Sequence, residues 1–133
     1  MAMSRYFLPF PLALALAAPA AATEPIEGVW SNPLRSVTVR VGPCGETYCG
    51  TVIRAGDGAR AAAGRHGTRL IGAQLLSGLR ARGGKWRGQI FVPDHGIHTS
   101  ANVSMVGADQ MRIEGCAMGG LLCRSQLWAR IDN

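Results

Sequence analysis

Apolar and polar side chains alternate along several short runs, and this period of two constrains the fold more than any other feature of the chain. Ser36-Val37-Thr38-Val39-Arg40-Val41 alternates throughout, as do Asn102-Val103-Ser104-Met105 and Arg112-Ile113-Glu114. Successive side chains of a strand point to opposite faces, so each run has one wet and one dry face. Turn-forming residues break the runs at short intervals: Asn32-Pro33, Gly42-Pro43, Gly83-Gly84, Pro93 to Gly96, Gly107 to Asp109 and Gly119-Gly120. The pattern predicts strands near residues 26–31, 36–42, 49–54, 85–92, 98–106, 110–117 and 123–132. They are antiparallel, because connections this short cannot cross over. With 18 glycines and no long stretch of period 3.6, the fold class is all-β, an antiparallel meander barrel or sandwich.

Two segments depart from the rhythm. Residues 55–69 have no bulky apolar side chain before Leu70, too little to order a core element, and read as a flexible loop. The adjoining run, Leu70 to Leu79, fits either a short helix closing one barrel end or an eighth strand.

The chain begins with a stretch of a different kind. Arg5 precedes Tyr6 to Ala22, which holds only aromatic, aliphatic and proline side chains, and Ala20-Ala21-Ala22 offers small residues to a signal peptidase. This is the layout of a removable leader over residues 1–22. Pro9, Pro11 and Pro19 interrupt it and the run is short for a bilayer span, so a membrane anchor is the weaker reading. Residues 23–133 are expected to form one soluble domain, periplasmic or secreted.

The four cysteines agree with export. They form two close pairs, Cys44 with Cys49 in CGETYCG and Cys116 with Cys123 in CAMGGLLC. Three pairings are open to four cysteines. The local one is favoured, since each pair flanks a glycine-containing turn that can bring two strand ends to disulfide distance. Neither pair has the two-residue spacing of a zinc knuckle, and an oxidising compartment disfavours free thiolates.

Charge is uneven. The chain carries a net charge of +6. Arg54, Arg60, Arg65, Arg69, Arg80, Arg82, Lys85 and Arg87 form a basic flank in which Asp57 is the only acid. Such a flank attracts anions, phospholipid headgroups or an acidic glycan of the envelope among them. Nucleic acid fits less well, because Trp30, Tyr48, Trp86, Phe91 and Trp128 are spread along the chain and show no stacking cluster.

Catalytic constellations are scarce. Asp94, His95 and His98 place a carboxylate and two imidazoles within five residues, which makes them weak candidates for metal. A catalytic site needs about three protein ligands, and the one other histidine is His66 in the expected loop. Neither Ser100 nor Ser125 sits in a G-x-S-x-G elbow. No phosphate loop or dinucleotide fingerprint occurs, and no cofactor is implied.

IEGVWSNP at 26–33, SVTVRVGPCGETYCGTV at 36–52, LLSGLR at 75–80, WRGQIF at 86–91 and IEGCAMGGLLCRSQLWARI at 113–131 together resemble a family of exported bacterial proteins, domain of unknown function family 2147. The CG-x3-CG turn and the GC-x6-CRSQ-x-W ending are the most specific pieces. The chain departs from the family in FVPDHGIHTS at 91–100, where Val92 stands for an acid and Thr99 for a tyrosine. The resemblance implies a small antiparallel barrel of calycin or lipocalin character, about seven to eight strands, with no established activity. It also implies a role for Gly28-x-Trp30: the tryptophan plugs the closed end under an arginine of the last strand, Arg124 or Arg130, the alternative being that Trp30 lines a ligand pocket.

The reading is then a non-enzymatic barrel that binds a small apolar or amphipathic, anion-bearing molecule in its interior or mouth. Trp86, Phe91, Trp128, Arg80, Arg82 and Arg87 are the candidate contacts. An envelope scaffold with a filled core is the alternative, and a metal-assisted hydrolase on the hairpin of residues 94–98 the third.

Overall fold

The computed structural model describes residues 24–131, residues 8–15, and positions 3 and 6. The leader boundary expected at Ala22 lies outside the described residues. Eight strands succeed one another around a closed barrel: β1 (Gly28–Ser31), β2 (Val37–Cys44), β3 (Thr47–Ala55), β4 (Gln74–Arg82), β5 (Lys85–Val92), β6 (Ile97–Met105), β7 (Gln110–Ala117) and β8 (Leu122–Arg130). Every neighbouring pair is antiparallel, and β8 returns to β1 through Trp30 with Arg130 and Ser31 with Ala129. The architecture is thus the all-β meander that the alternation dictates.

Alternation also builds the core. Val39 pairs with both Trp30 and Val52, and Val103 with both Trp86 and Ile113. All six side chains are buried. Ile26, Leu76, Leu79 and Met111 complete the fully buried set. At about 1.5–3 kcal/mol for each such side chain removed from water, this interior is the main source of stability.

The ambiguous run Leu70 to Leu79 resolves into strand β4. Leu76 and Leu79, three residues apart, would face opposite sides of a regular strand, yet both are buried. The register shifts between Ser77 and Arg80, with Gly78 at a φ of 60°. A bulge of this kind turns both leucines inward and hides the period of two from the sequence.

Residues 55–69, expected as a loop, contain helix α1 (Asp57–Gly64). The correction has a local cause. Alanine has the highest helix propensity, and Asp57 in the first turn complements the helix dipole. Bulk is not needed for anchoring, because the small Ala63 is itself buried in the core beside Leu70.

The cysteines pair locally. Cys44 joins Cys49 across the turn between β2 and β3, with Cα atoms 5.8 Å apart. Cys116 joins Cys123, its partner in the β7–β8 register, at 4.1 Å. Such pairs belong to oxidising, non-cytoplasmic surroundings.

Because consecutive strands run antiparallel, their connections alternate between the two ends. Residues 32–36, 56–73, 93–96 and 118–121 lie at one end, here called the mouth. Residues 45–46, 83–84 and 106–109 lie at the other, together with the segment 24–27 that leads into β1.

Candidate functional site

The end opposite the mouth is closed. The Trp30 Nε1–H donates to the Ile26 carbonyl at 2.9 Å within the core. Arg130 lies over the indole, its Cζ 4.3 Å from the ring centroid. Its guanidinium donates to the carbonyls of Glu27 at 2.7 Å, Pro25 at 2.7 Å and Ala108 at 3.0 Å. It therefore ties the incoming segment and the turn after β6 to the plug. Gly28 makes room for this: a Cβ there would lie 2.5 Å from Arg130 Nη1, and its φ is 139°. Of the two arginines weighed from sequence, Arg130 covers Trp30. Arg124 stands opposite Gly115 toward the mouth and is exposed. Nearby, desolvation raises the Tyr48 phenol above its ordinary range, and the Glu27 and Glu24 carboxylates push the same way.

The wall is less complete where β8 meets β1. The β7–β8 ladder runs from Gln110 with Ala129 to Ala117 with Leu122. β1 matches only Ala129 and Arg130 of β8, since it ends at Ser31. The β8 edge from residue 122 to 128 thus has no ladder partner on its β1 side. An open groove of about 860 Å³ lies along this seam. Asn32, Pro33 and Arg35 of the β1–β2 turn border it, with Arg54, Ala55 and Ile71 on one side and Leu127 and Ala129 on the other. A smaller depression of about 360 Å³ between Arg60, Thr68, Arg69 and Leu70 shares Ile71 with it.

Asn32 shapes the turn that carries Arg35. Its Oδ1 accepts from the backbone N–H of Ser36 at 2.8 Å and of Val37 at 3.0 Å. Its Nδ2 donates to Ser36 Oγ at 2.9 Å. Among the described residues Arg35 is the sole non-glycine with a left-handed backbone, at a φ of 54°. That conformation costs an ordinary residue about 1–2 kcal/mol. Among the described residues no carboxylate lies within ion-pair distance of Arg35 or Arg54. Two uncompensated guanidinium groups beside apolar Ile71 and Leu127 suit a molecule with an anionic head and an apolar body.

The structure scatters the contacts named from sequence. Trp86 and Trp128 are buried in the core. Trp128 donates to Gln126 Oε1 at 3.1 Å, whereas Trp86 Nε1 is buried with no acceptor among the described residues. Phe91 stacks on His98 at 4.6 Å between centroids. Arg80, Arg82 and Arg87 are exposed on the β4–β5 hairpin, whose turn lies at the closed end. The basic flank is thus split, with Arg54, Arg60, Arg65 and Arg69 at the mouth and the others remote from it. Continuity in sequence did not survive the long antiparallel strand between them.

The metal candidates do not converge either. His95 Nε2 is 4.0 Å from Asp94 Oδ2, both exposed, while His98 is held against Phe91. His66 packs beside Gly96 of the same turn. Among the described residues, the group of three ligand-bearing residues that does converge is Glu114 with Cys116 and Cys123. Its two sulfurs are bonded to each other.

Arg35, Ile71 and Leu127 were not singled out from sequence. Outward strand positions and turn residues all look solvated until the β8–β1 seam, a contact between the two chain ends, is known. The one local signal was an apolar residue and an arginine placed directly after Asn32-Pro33.

An eight-stranded antiparallel meander, closed through its first and last strands and plugged by Gly28-x-Trp30 under Arg130, is a lipocalin-like barrel. The fold is similar to that of protein HP1028 from Helicobacter pylori, described as belonging to the lipocalin family. The TM-score is 0.62 at 13% identity, covering 80% of this chain and 83% of that one. The chain itself belongs to a family of uncharacterized proteins conserved in bacteria, DUF2147, which it matches over residues 28–130. No curated protein matches it. No helix among the described residues is long and apolar enough to cross a membrane.

Proposed function

We propose that this protein is an exported, non-enzymatic carrier that binds a small anionic amphiphile in the groove at the β8–β1 seam. The observation that carries the reading is one open space of about 860 Å³ that combines unpaired Arg35 and Arg54 with Ile71 and Leu127. The groove's volume lies in the range of small-molecule sites. Its lining mixes polar Asn32, Ser36 and Thr38 with apolar Ile71, Leu127 and Ile131, as a ligand with a polar head and an apolar body requires. The lipocalin-like fold supports a carrier role, and the disulfide pairs and leader-like first 22 residues support export. The interior beside the plug is packed with Trp30, Leu76, Leu79 and Met111, which moves the site from the barrel axis to its side wall.

Isothermal titration with dodecyl phosphate tests this. Saturable binding of one molecule is expected, weakened at least about tenfold by Arg54→Gln, in line with loss of one charge-assisted contact. Dodecyl maltoside, with the same tail and no charge, is expected to bind much more weakly. Equal binding of both amphiphiles, or no effect of Arg54→Gln, overturns the proposal. The same packed interior favours a second reading, an envelope interaction protein without a small ligand, and absence of any binding selects it.

A further inference from the structure

Among the described residues of the barrel, five of the seven exposed large apolar side chains lie at one end, while Leu127 stands on the β8 wall. Leu34 is 86% exposed in the β1–β2 turn, and Leu121 is 85% exposed between β7 and β8. Ile71, in the connection after α1, is 45% exposed, Ile97 at the start of β6 is 47% and Leu122 at the start of β8 is 56%. All five belong to connections at the mouth or to the strand residues that adjoin them. At the opposite end the one large apolar side chain exposed among the described residues is Val106, at 38%.

Uncompensated positive charge is weighted toward the same end. The mouth connections and their flanking strand ends carry Arg35, Arg54, Arg60, Arg65, Arg69 and Arg124 against Asp57 and Asp94. Asp57 is already bonded to Arg60. At the other end Glu24, Glu27, Glu46 and Asp109 are mixed with Arg82, Lys85 and Arg130, and Arg80 and Arg87 follow on the same hairpin.

We propose that the mouth is a docking surface for an anionic lipid bilayer, with the apolar rim entering the headgroup region and the arginines meeting lipid phosphates. Apolar side chains interspersed with cations are the composition of surfaces that lie on anionic membranes. Here they are spread over four separate connections rather than gathered in one patch, which suits a fluid, planar partner. A second copy docked rim to rim would face these arginines with the same arginines, since a two-fold contact matches each patch with itself. The surface overlaps the seam groove at Arg35, Arg54 and Ile71, which border both, and it would place the groove's open side beside the membrane.

Cosedimentation of the purified protein with vesicles tests the proposal. Phosphatidylcholine vesicles containing phosphatidylglycerol are expected to bind it, and pure phosphatidylcholine vesicles to bind it at least about tenfold more weakly, at roughly 1 kcal/mol per basic residue near the surface. The double variant Leu34→Ser, Leu121→Ser removes two side chains that stand in solvent, so the fold and its melting temperature should stand. Its partitioning should fall at least about tenfold for the loss of buried apolar area. Arg60→Gln with Arg65→Gln and Arg69→Gln should remove the preference for phosphatidylglycerol. Equal binding to both vesicles, wild-type partitioning of the leucine variant, or a concentration-dependent dimer abolished by the same leucine changes would each overturn it. Dodecyl phosphate binding that persists in the Leu34→Ser, Leu121→Ser variant while its vesicle binding falls separates this surface from the groove, since neither leucine lines the groove.

Discussion

Replacing Arg130 by methionine keeps the aliphatic stem and removes the guanidinium, so its cost reads the plug directly. Three backbone carbonyls, those of Pro25, Glu27 and Ala108, lose a charged donor at 2.7–3.0 Å. A hydrogen bond to a charged group contributes about 1.5–3 kcal/mol, but these carbonyls lie near the surface and water can replace the lost partner. About 1 kcal/mol each is the appropriate figure, giving roughly 3 kcal/mol. Loss of the guanidinium over Trp30 adds about 0.5–1 kcal/mol. The sum, about 3–4 kcal/mol, is a large part of the roughly 5–15 kcal/mol that holds a typical domain together. With a urea m-value of about 1–2 kcal/mol/M for a chain of this size, the midpoint should fall by roughly 1.5–4 M. Arg130→Lys keeps the charge but not the fork that reaches three acceptors, and should recover less than half of the loss. Urea unfolding monitored by tryptophan fluorescence measures all three proteins. A shift below about 0.5 M for Arg130→Met would refute the view that this residue fastens the closed end.

Four further outcomes rest on particular contacts. Arg35→Gly relieves a left-handed backbone and should raise stability by up to about 1 kcal/mol while weakening dodecyl phosphate binding; thermal unfolding and titration on one sample measure both. Gly88→Ala places a Cβ against the Ser77 carbonyl and Leu79 at the β4 bulge. It should cost about 3 kcal/mol by overpacking, seen as a lowered urea midpoint. Trp86→Phe removes a buried N–H that has no acceptor among the described residues. In urea unfolding it should cost less than about 1 kcal/mol, well under the usual cost of trimming a core aromatic. Cys116→Ala with Cys123→Ala should lower the melting temperature by about 10 °C, from roughly 2–2.5 kcal/mol of lost loop constraint, and reductant should then have less left to remove.

Much of the fold was legible in the sequence because the barrel repeats one local rule. Alternation in three runs and the turn residues between runs together located seven strands and their antiparallel order without knowledge of any distant contact. The rule failed where geometry broke its period: the bulge at Gly78 concealed β4, and an alanine-rich helix needed no bulky residue to dock. The plug was visible through resemblance, and Gly28 now has a physical reason, since the Arg130 guanidinium occupies the space its side chain would need. The groove was hidden for a different reason. It forms where the two ends of the chain meet, so Arg35 in one turn, Arg54 on β3 and Leu127 on β8 become neighbours only once the barrel closes. Charge density along the sequence pointed to Arg80, Arg82 and Arg87, which the β4–β5 hairpin carries toward the far end.

The seam groove is tested most directly by tracking backbone and methyl resonances of the protein while dodecyl phosphate is added. Shifts should concentrate at Arg35, Arg54, Ile71 and Leu127 and leave Val103, Ile113 and the β4–β5 turn unchanged. Shifts centred instead on the core around Trp86 and Val103, or on Arg80 to Arg87, would contradict the account.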